Sequence, residues 1–325
     1  MKKLFLVVAA GFLLTSGCNK TSSPSEDTVI TGESPAATQR KCAAYEVLEE
    51  QLKADPTLRQ RRDEIEAFTR RFTESPEANR LLPDGTMEVP VVVNVLYKTT
   101  AENISNAQIA SQIQILNEDF SGTNADVNKT STYQSVKAGN TKITFVLANT
   151  IRQSTTLTSW GTNDAMKKSS QGGINPTSPT TTLNIWVCTL GNGILGYAQF
   201  PGGNPATDGI VILNTAFGNT GTAAAPFGKG RTATHEIGHF FNLYHIWGDK
   251  KCGNDLVADT PSHNDANFGC PAANTRSKCP GKPIEMTMNY MDYTDDACMY
   301  MFSAGQKTRM NATYAVGGPH ASFRP

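Results

Sequence analysis

The sequence predicts an α+β protein. It reads as a twisted mixed sheet of about five strands, a backing helix, a second helix beneath the sheet that carries histidines, and an irregular C-terminal subdomain. Three observations give this reading. Five short apolar or alternating runs between residues 89 and 213 have the length and residue types of strands. Between them, Ile109, Ile113, Leu116 and Phe120 recur at helical spacing. Beyond residue 245 the periodicity fades and Cys252, Cys270, Cys279 and Cys298 cluster, as in a lobe with little core of its own that disulfides stabilise.

From the N-terminus, Lys2 and Lys3 precede the apolar run Leu4–Leu14, which is too short to span a membrane. Thr15-Ser16-Gly17-Cys18 follows, so residues 1–18 read as a lipoprotein signal peptide with Cys18 as the lipidated first residue. Thr15 stands where a lipobox usually has Leu, and ordinary cleavage near Gly17 with full secretion is the alternative. Residues 19–41 include a Ser/Thr/Pro-rich stretch and read as a flexible tether. Residues 42–83 read as a helical pro-segment. Val47, Leu48 and Leu52, then Ile65, Phe68 and Phe72, mark two amphipathic helices, with Asp55 capping the second and Pro56 at its first position. Arg61-Arg62, Arg70-Arg71 and Arg80 are either activation cuts or plain solvated positions.

The N-terminal subdomain, 84–245, opens at Asp84-Gly85. Val89–Tyr97 is a strand with Pro90 near its start, where a missing N–H is tolerated. Ser105–Phe120 is a helix, and Ile143, Phe145 and Leu147 alternate as a half-buried strand. Leu183–Cys188, Gly196–Phe200 and Ile210–Leu213 supply three more strands, and Cys188 reads as a buried, inert thiol. In the C-terminal subdomain, 246–325, Ser303 and Gln306 form a capping box for a helix near 304–314.

The helix beneath the sheet carries the chemistry. Its sequence runs His235-Glu236-Ile237-Gly238-His239-Phe240-Phe241-Asn242-Leu243-Tyr244-His245. His235 and His239 are i and i+4, so both rings leave one helix face and can reach one Zn²⁺. Glu236 is placed to take a proton from a metal-polarised water. His245 is a third ligand if the chain turns sharply after His239. Asn242, the residue type most tolerant of a left-handed conformation after glycine, allows that turn. An HExxH alone arises by chance on amphipathic helices, and His245 six residues on makes chance a poor account. Downstream, Met291 in Asn289-Tyr290-Met291-Asp292-Tyr293 fits a Met-turn beneath a metal, and the Tyr293 phenol fits a donor to a developing oxyanion. Taken alone, Met291 and Tyr293 read rather as a core Met and a surface Tyr in a loop, since other Met and Tyr residues stand nearby.

These segments, with Cys252–Pro261, Asn289–Met310, Gly196–Pro201 and Asp208–Val211, resemble the pappalysin family of metzincins across most of residues 85–320. The resemblance implies the metzincin zincin fold and a secreted zinc endopeptidase, often calcium-dependent, that cuts peptide or protein substrates next to Arg or Lys. It implies disulfides Cys252–Cys279 and Cys270–Cys298 among the three pairings open to four cysteines. It implies Gly196–Phe200 as an edge strand that holds substrate extended. It favours Asp255 and Asp259 as Ca²⁺ ligands, where the residues alone read equally as an Asx-rich loop. One of Asp292, Asp295 and Asp296 would then meet the basic side chain. Cys42, after Gln39-Arg40-Lys41, resembles a cysteine switch whose thiolate blocks the metal of a zymogen; a free thiol on a tether is the other reading.

Charged residues make up 18% of the chain and the formal net charge is zero, which offers nucleic acid no basic face. Membrane contact is expected only through the lipid on Cys18, and the location is the outer membrane or cell surface, or the medium. A surface-tethered binding or adhesion lipoprotein with a metzincin fold and no turnover is the competing class; an intact ligand set beside Glu236 argues against it.

Overall fold

The computed structural model describes residues 37–75, 87–129 and 132–324, all within one unit, 34–325. The signal peptide with Cys18, most of the expected tether, Arg80 and the Asp84-Gly85 boundary lie outside the described residues.

Two helices come first, α1 (Ala44–Ala54) and α2 (Pro56–Glu74). Asp55 separates them and accepts the Thr57 N–H, so cap and proline act as expected. Five strands follow: β1 (Met87–Tyr97), β2 (Ile143–Ser154), β3 (Leu183–Cys188), β4 (Gly196–Ala198) and β5 (Ile210–Leu213). They form one mixed sheet ordered β2-β1-β3-β5-β4, parallel except for β4, which runs antiparallel at one edge. Pro90 is paired on its β2 side only, because β3 joins β1 from Val91 onward. Its missing N–H therefore breaks no ladder.

Both faces of the sheet are covered, which accounts for the unbroken apolar runs in β1, β3 and β5. On one face Val89, Val91, Val93, Ile185 and Ile212 pack with Ile109, Leu116 and Phe120 of α3 (Asn106–Ser121) and Ala233 and Ile237 of α4 (Arg231–Phe240). On the other, Trp186, Tyr197 and Val211 pack with Trp160 and Met166.

Residues 241–303 contain no helix or strand longer than an isolated bridge. Two disulfides, Cys252–Cys279 and Cys270–Cys298, cross-link this lobe. The chain regains regular structure in α5 (Ala304–Tyr314), which begins with the Ser303/Gln306 capping box.

Three expectations are corrected. β2 continues to Ser154, well past Leu147, as an edge strand in which Val146 and Leu147 are exposed, so the expected alternation stops at Phe145. β4 ends at Ala198 because the chain turns at Gln199 toward Pro201-Gly202. The tether does not reach residue 41, since Arg40 is buried and fixed by an ion pair.

Candidate metal centre

All ten residues of α4 are buried, so nothing on this helix is a solvated face. The helix ends at Phe240, and Asn242 takes φ +69°, the left-handed turn expected there. Leu243 N–H then bonds Gly238 C=O at 2.9 Å, which folds the chain back and brings His245 beneath the first two histidines. The Nε2 atoms converge: His239 lies 3.3 Å from His235 and 3.1 Å from His245. Donors bound to one tetrahedral Zn²⁺ at its usual bond length stand roughly 3.4 Å apart, so the residues fit this ion. Each Nδ1 is tied elsewhere, to Tyr290 C=O at 2.6 Å, to Leu243 C=O at 2.7 Å and to the Asp249 carboxylate. These acceptors fix the tautomer that turns the Nε2 lone pairs inward. Burial pushes His235 and His239 well below the usual imidazole range, which keeps them neutral and able to ligate. Trp247 stacks on the His245 ring at 4.4 Å and holds its plane.

Met291 lies fully buried beneath α4, with its sulfur against Gly238. A Cβ at 238 would overlap that sulfur, so any larger residue here has to displace the Met291 side chain. Ile246 N–H bonds Met291 C=O at 3.1 Å, which ties the third-ligand segment to the Met-turn.

Cys42 completes the cluster. Its Sγ and the three histidine nitrogens lie within 4.8 Å of one another, and no other group of three His, Cys, Asp or Glu with such proximity occurs among the described residues. The thiol donates to Glu236 Oε2 at 3.2 Å. Burial, then Glu236, push this thiol well up. The cationic residues just before it have other partners: Arg40 is bonded to Asp296 and Lys41 to the Asn192 carbonyl. A thiolate at Cys42 therefore needs the metal itself. Burial also raises Glu236, to about 8, in a site where a divalent cation would favour its charged form.

Residues 41–43 lie along the edge of the sheet. Leu195 N–H donates to Lys41 C=O at 2.9 Å and Ala43 N–H to Gly196 C=O at 3.1 Å, so this segment runs parallel to β4 and covers its free side. Before it, Arg40 enters a closed pocket. Its guanidinium meets Asp296 Oδ1 at 2.5 Å, Thr232 Oγ1 at 3.0 Å and Thr294 C=O at 3.1 Å, over the Phe227 ring. The other Asp296 oxygen accepts Lys229 N–H and Arg231 N–H at the start of α4. Of the three candidate acids, Asp296 meets a basic side chain. Asp292 instead accepts Asn267 and Tyr293 N–H groups and is pushed up to about 7 by burial.

Asp255 and Asp259 are directed at protein partners. Asp255 accepts the Thr260 hydroxyl and the Val257 N–H, and burial raises it to about 6. Asp259 accepts Ser303 Oγ and Gly305 N–H at the start of α5. Cys188 is buried and free, and burial raises its thiol. Sequence reasoning missed Asp249, Arg62, Glu66 and Arg309. Only Asp249, four residues past His245, had a local signal.

The profile of the peptidase M43 family, described as pregnancy-associated plasma protein-A, matches residues 179–315. An extracellular metalloprotease of Arthroderma benhamiae is 31% identical over 257 residues, covering 75% of this chain and 85% of the relative. One from Verticillium alfalfae is 32% identical and covers 70% and 78%. Among solved structures, a promirolysin mutant of Tannerella forsythia superposes with a TM-score of 0.80 at 40% identity, covering 88% of this chain and 97% of that one. Mature mirolysin of the same organism, in complex with a cleaved peptide, gives 0.72 at 44%, covering 74% and 97%.

Proposed function

The chain belongs to the pappalysin family of zinc metalloproteases, peptidase M43, with the metzincin fold, and from that membership we propose an exported endopeptidase made as a zymogen that cuts next to Arg or Lys. The observation that carries the proposal is the meeting of Cys42, Glu236 and three convergent histidines at one end of β4.

His235, His239 and His245 would hold a Zn²⁺, which when bound would supply a Lewis acid and lower the pKa of a water to about 7. Glu236 takes that water's proton and returns it to the leaving amine. Tyr293 donates its hydroxyl to the oxygen of the tetrahedral carbon. β4 offers a free edge to the peptide once residues 41–43 have left it. Asp296, with Thr232 and Thr294, binds the substrate's basic side chain as it now binds Arg40.

The latent form rests on Cys42, whose thiol engages the base and lies in reach of the metal position. The larger share of this chain matched by promirolysin, 88% against 74% for the mature form, supports a pro-segment before the catalytic part. Among the basic dipeptides, Arg70-Arg71 is exposed near the end of α2, whereas Arg62 is buried at mid-helix, so activation begins at or beyond Arg70. Export agrees with the naming of the relatives as extracellular; the lipid anchor on Cys18 rests on sequence alone. Calcium at Asp255 and Asp259 rests on the family resemblance, with both carboxylates turned to other partners here.

The test is cleavage of a denatured protein by the zinc-loaded chain after proteolytic activation, with cut sites mapped by mass spectrometry beside Glu236→Ala. Cuts next to Arg or Lys that vanish in the variant are expected. Absence of cuts would favour the tethered binding protein.

A further inference from the structure

Glu66 of α2 inserts its carboxylate into a receptor built by the catalytic part of the chain. Arg309 Nη2 donates to both of its oxygens, at 2.6 and 2.7 Å. Asn242 Nδ2 and Tyr244 OH donate to Oε1 at 3.1 and 3.2 Å. Arg309 is also held by contacts outside α2, whereas the Asn242 amide and the Tyr244 hydroxyl additionally bond Arg62 of α2, at 2.7 and 2.8 Å. Arg309 Nε bonds Asn242 C=O at 2.7 Å, and its guanidinium lies over the Tyr244 ring at 5.3 Å. Arg309 itself rides on α5, whose start is fixed by the capping box and by Asp259.

Among the described residues Glu66 is the only ion-pair partner of Arg309 within 4.0 Å. When the pro-segment leaves, Arg309 loses this ion-pair partner, while its Nε bond to Asn242 C=O and its place over the Tyr244 ring do not depend on α2. A guanidinium already oriented by these contacts favours another carboxylate in the vacated place, through charge-assisted hydrogen bonds. Arg62 leaves with the same helix, and the receptor groups it vacates, Pro201 C=O, Asn242 Oδ1 and Tyr244 OH, are neutral. Arg309 then remains as the cation of the contact, with the buried Asp255 carboxyl in electrostatic reach of it.

The receptor lies along the substrate's path. Phe200, just past β4, packs between the zinc-facing His239 ring at 5.2 Å and Tyr244 at 5.4 Å. Moving in the direction of β4 from Leu195 to Pro201, the pro-segment places Arg40 at Asp296, Cys42 at the histidines and Arg62 and Glu66 beyond Phe200. A peptide along the same rim with its basic side chain on Asp296 reaches Arg309 on the other side of the scissile bond. Two ring contacts put the receptor on the order of 10 Å past His239, about three residues of extended chain.

We infer that Arg309, Tyr244 and Asn242 form a subsite for an Asp or Glu side chain of the substrate, two to four residues from the cut and across it from the basic residue. This rests on the endopeptidase reading above.

The full chain, zinc-loaded, would be activated by an immobilised protease that is then removed, and profiled on a peptide library. Pairs of peptides differing only in Glu or Gln at the enriched position would follow. The expected result is acidic enrichment at one position and a kcat/KM about tenfold higher for Glu, the size of one charge-assisted hydrogen bond. That ratio should fall to near one in Arg309→Gln and shrink in Tyr244→Phe, with the basic preference retained. Equal rates on Glu and Gln peptides in the wild-type enzyme, which need no variant to fold, would overturn the subsite alone. A Glu preference that persists in both variants would also overturn it. Cleavage of no peptide would overturn the peptidase reading and the subsite with it.

Discussion

The Tyr293 hydroxyl donates to the carbonyl oxygen of Cys42 at 3.1 Å, beside the histidine cluster. A backbone carbonyl of the pro-segment thus already receives the hydrogen bond that a scissile carbonyl would need. The segment does not present itself for cutting, because it runs parallel to β4 and its thiol engages Glu236. If the phenol acts on the oxyanion, Tyr293→Phe in the activated enzyme should lower kcat by about 10²-fold with little change in KM. Steady-state kinetics on one peptide would decide it; an unchanged kcat would remove Tyr293 from the chemistry.

Arg40 and Asp296 make the deepest ion pair of the pro-segment, both side chains being 1% exposed or less. Removing one partner of such a pair costs about 3–5 kcal/mol, since the other charge stays buried. Arg40→Gln should therefore loosen residues 40–43 from the edge of β4 while leaving Asp296 to hold the start of α4. The expected outcome is measurable peptide cleavage by the unprocessed chain and faster loss of the pro-segment. A variant as silent as the wild type would mean that Cys42 and α2 maintain latency without Arg40.

The meeting of the three histidines was legible because their geometry is local: two residues one helical turn apart, then a left-handed turn at Asn242. The partners of Arg40 and Glu66 were not, since they lie 256 and 243 residues away and no periodicity links such positions. Arg40 looked like part of a tether because its neighbours are polar; burial by a distant lobe leaves no mark on local composition. Asp259 shows the converse. An acidic loop after the zinc helix read equally as a cation site or a surface turn, and the structure uses Asp259 to cap α5.

Glu66 gives pro-segment docking a pH dependence. Burial raises its carboxyl, but Arg309 and then Arg62 outweigh that and hold it below the usual range. Its facing groups are Arg62 on its own helix and Arg309, Tyr244 and Asn242 across the contact. A depressed carboxyl stabilises docking above its free value, about 4.3, and that contribution is lost as pH falls through the lower docked value. Hydrogen exchange of residues 56–74 between pH 6 and pH 3 should show protection falling below about pH 4. In Glu66→Gln protection should already be reduced at pH 6. Histidine protonation is common to both chains, so identical profiles would exclude Glu66 as the source.

Gly238 offers a check on the Met-turn that needs no substrate. The Met291 sulfur occupies the space a Cβ would take, and Met291 is also tied through its carbonyl to Ile246, next to His245. In Gly238→Ala the Met291 side chain must move, and overpacking of this kind costs about 1–3 kcal/mol. Where the buried surroundings pass that strain to the backbone, it reaches His239 directly or His245 through Ile246. The variant should lose about 2–4 °C of Tm per kcal/mol and bind Zn²⁺ more weakly in a chelator competition. Replacing Met291 by Ala in the same chain removes the overlapping sulfur, so the double variant should regain part of the lost metal affinity. If Gly238→Ala binds Zn²⁺ as the wild type does, the contact beneath the helix does not set the ligand geometry.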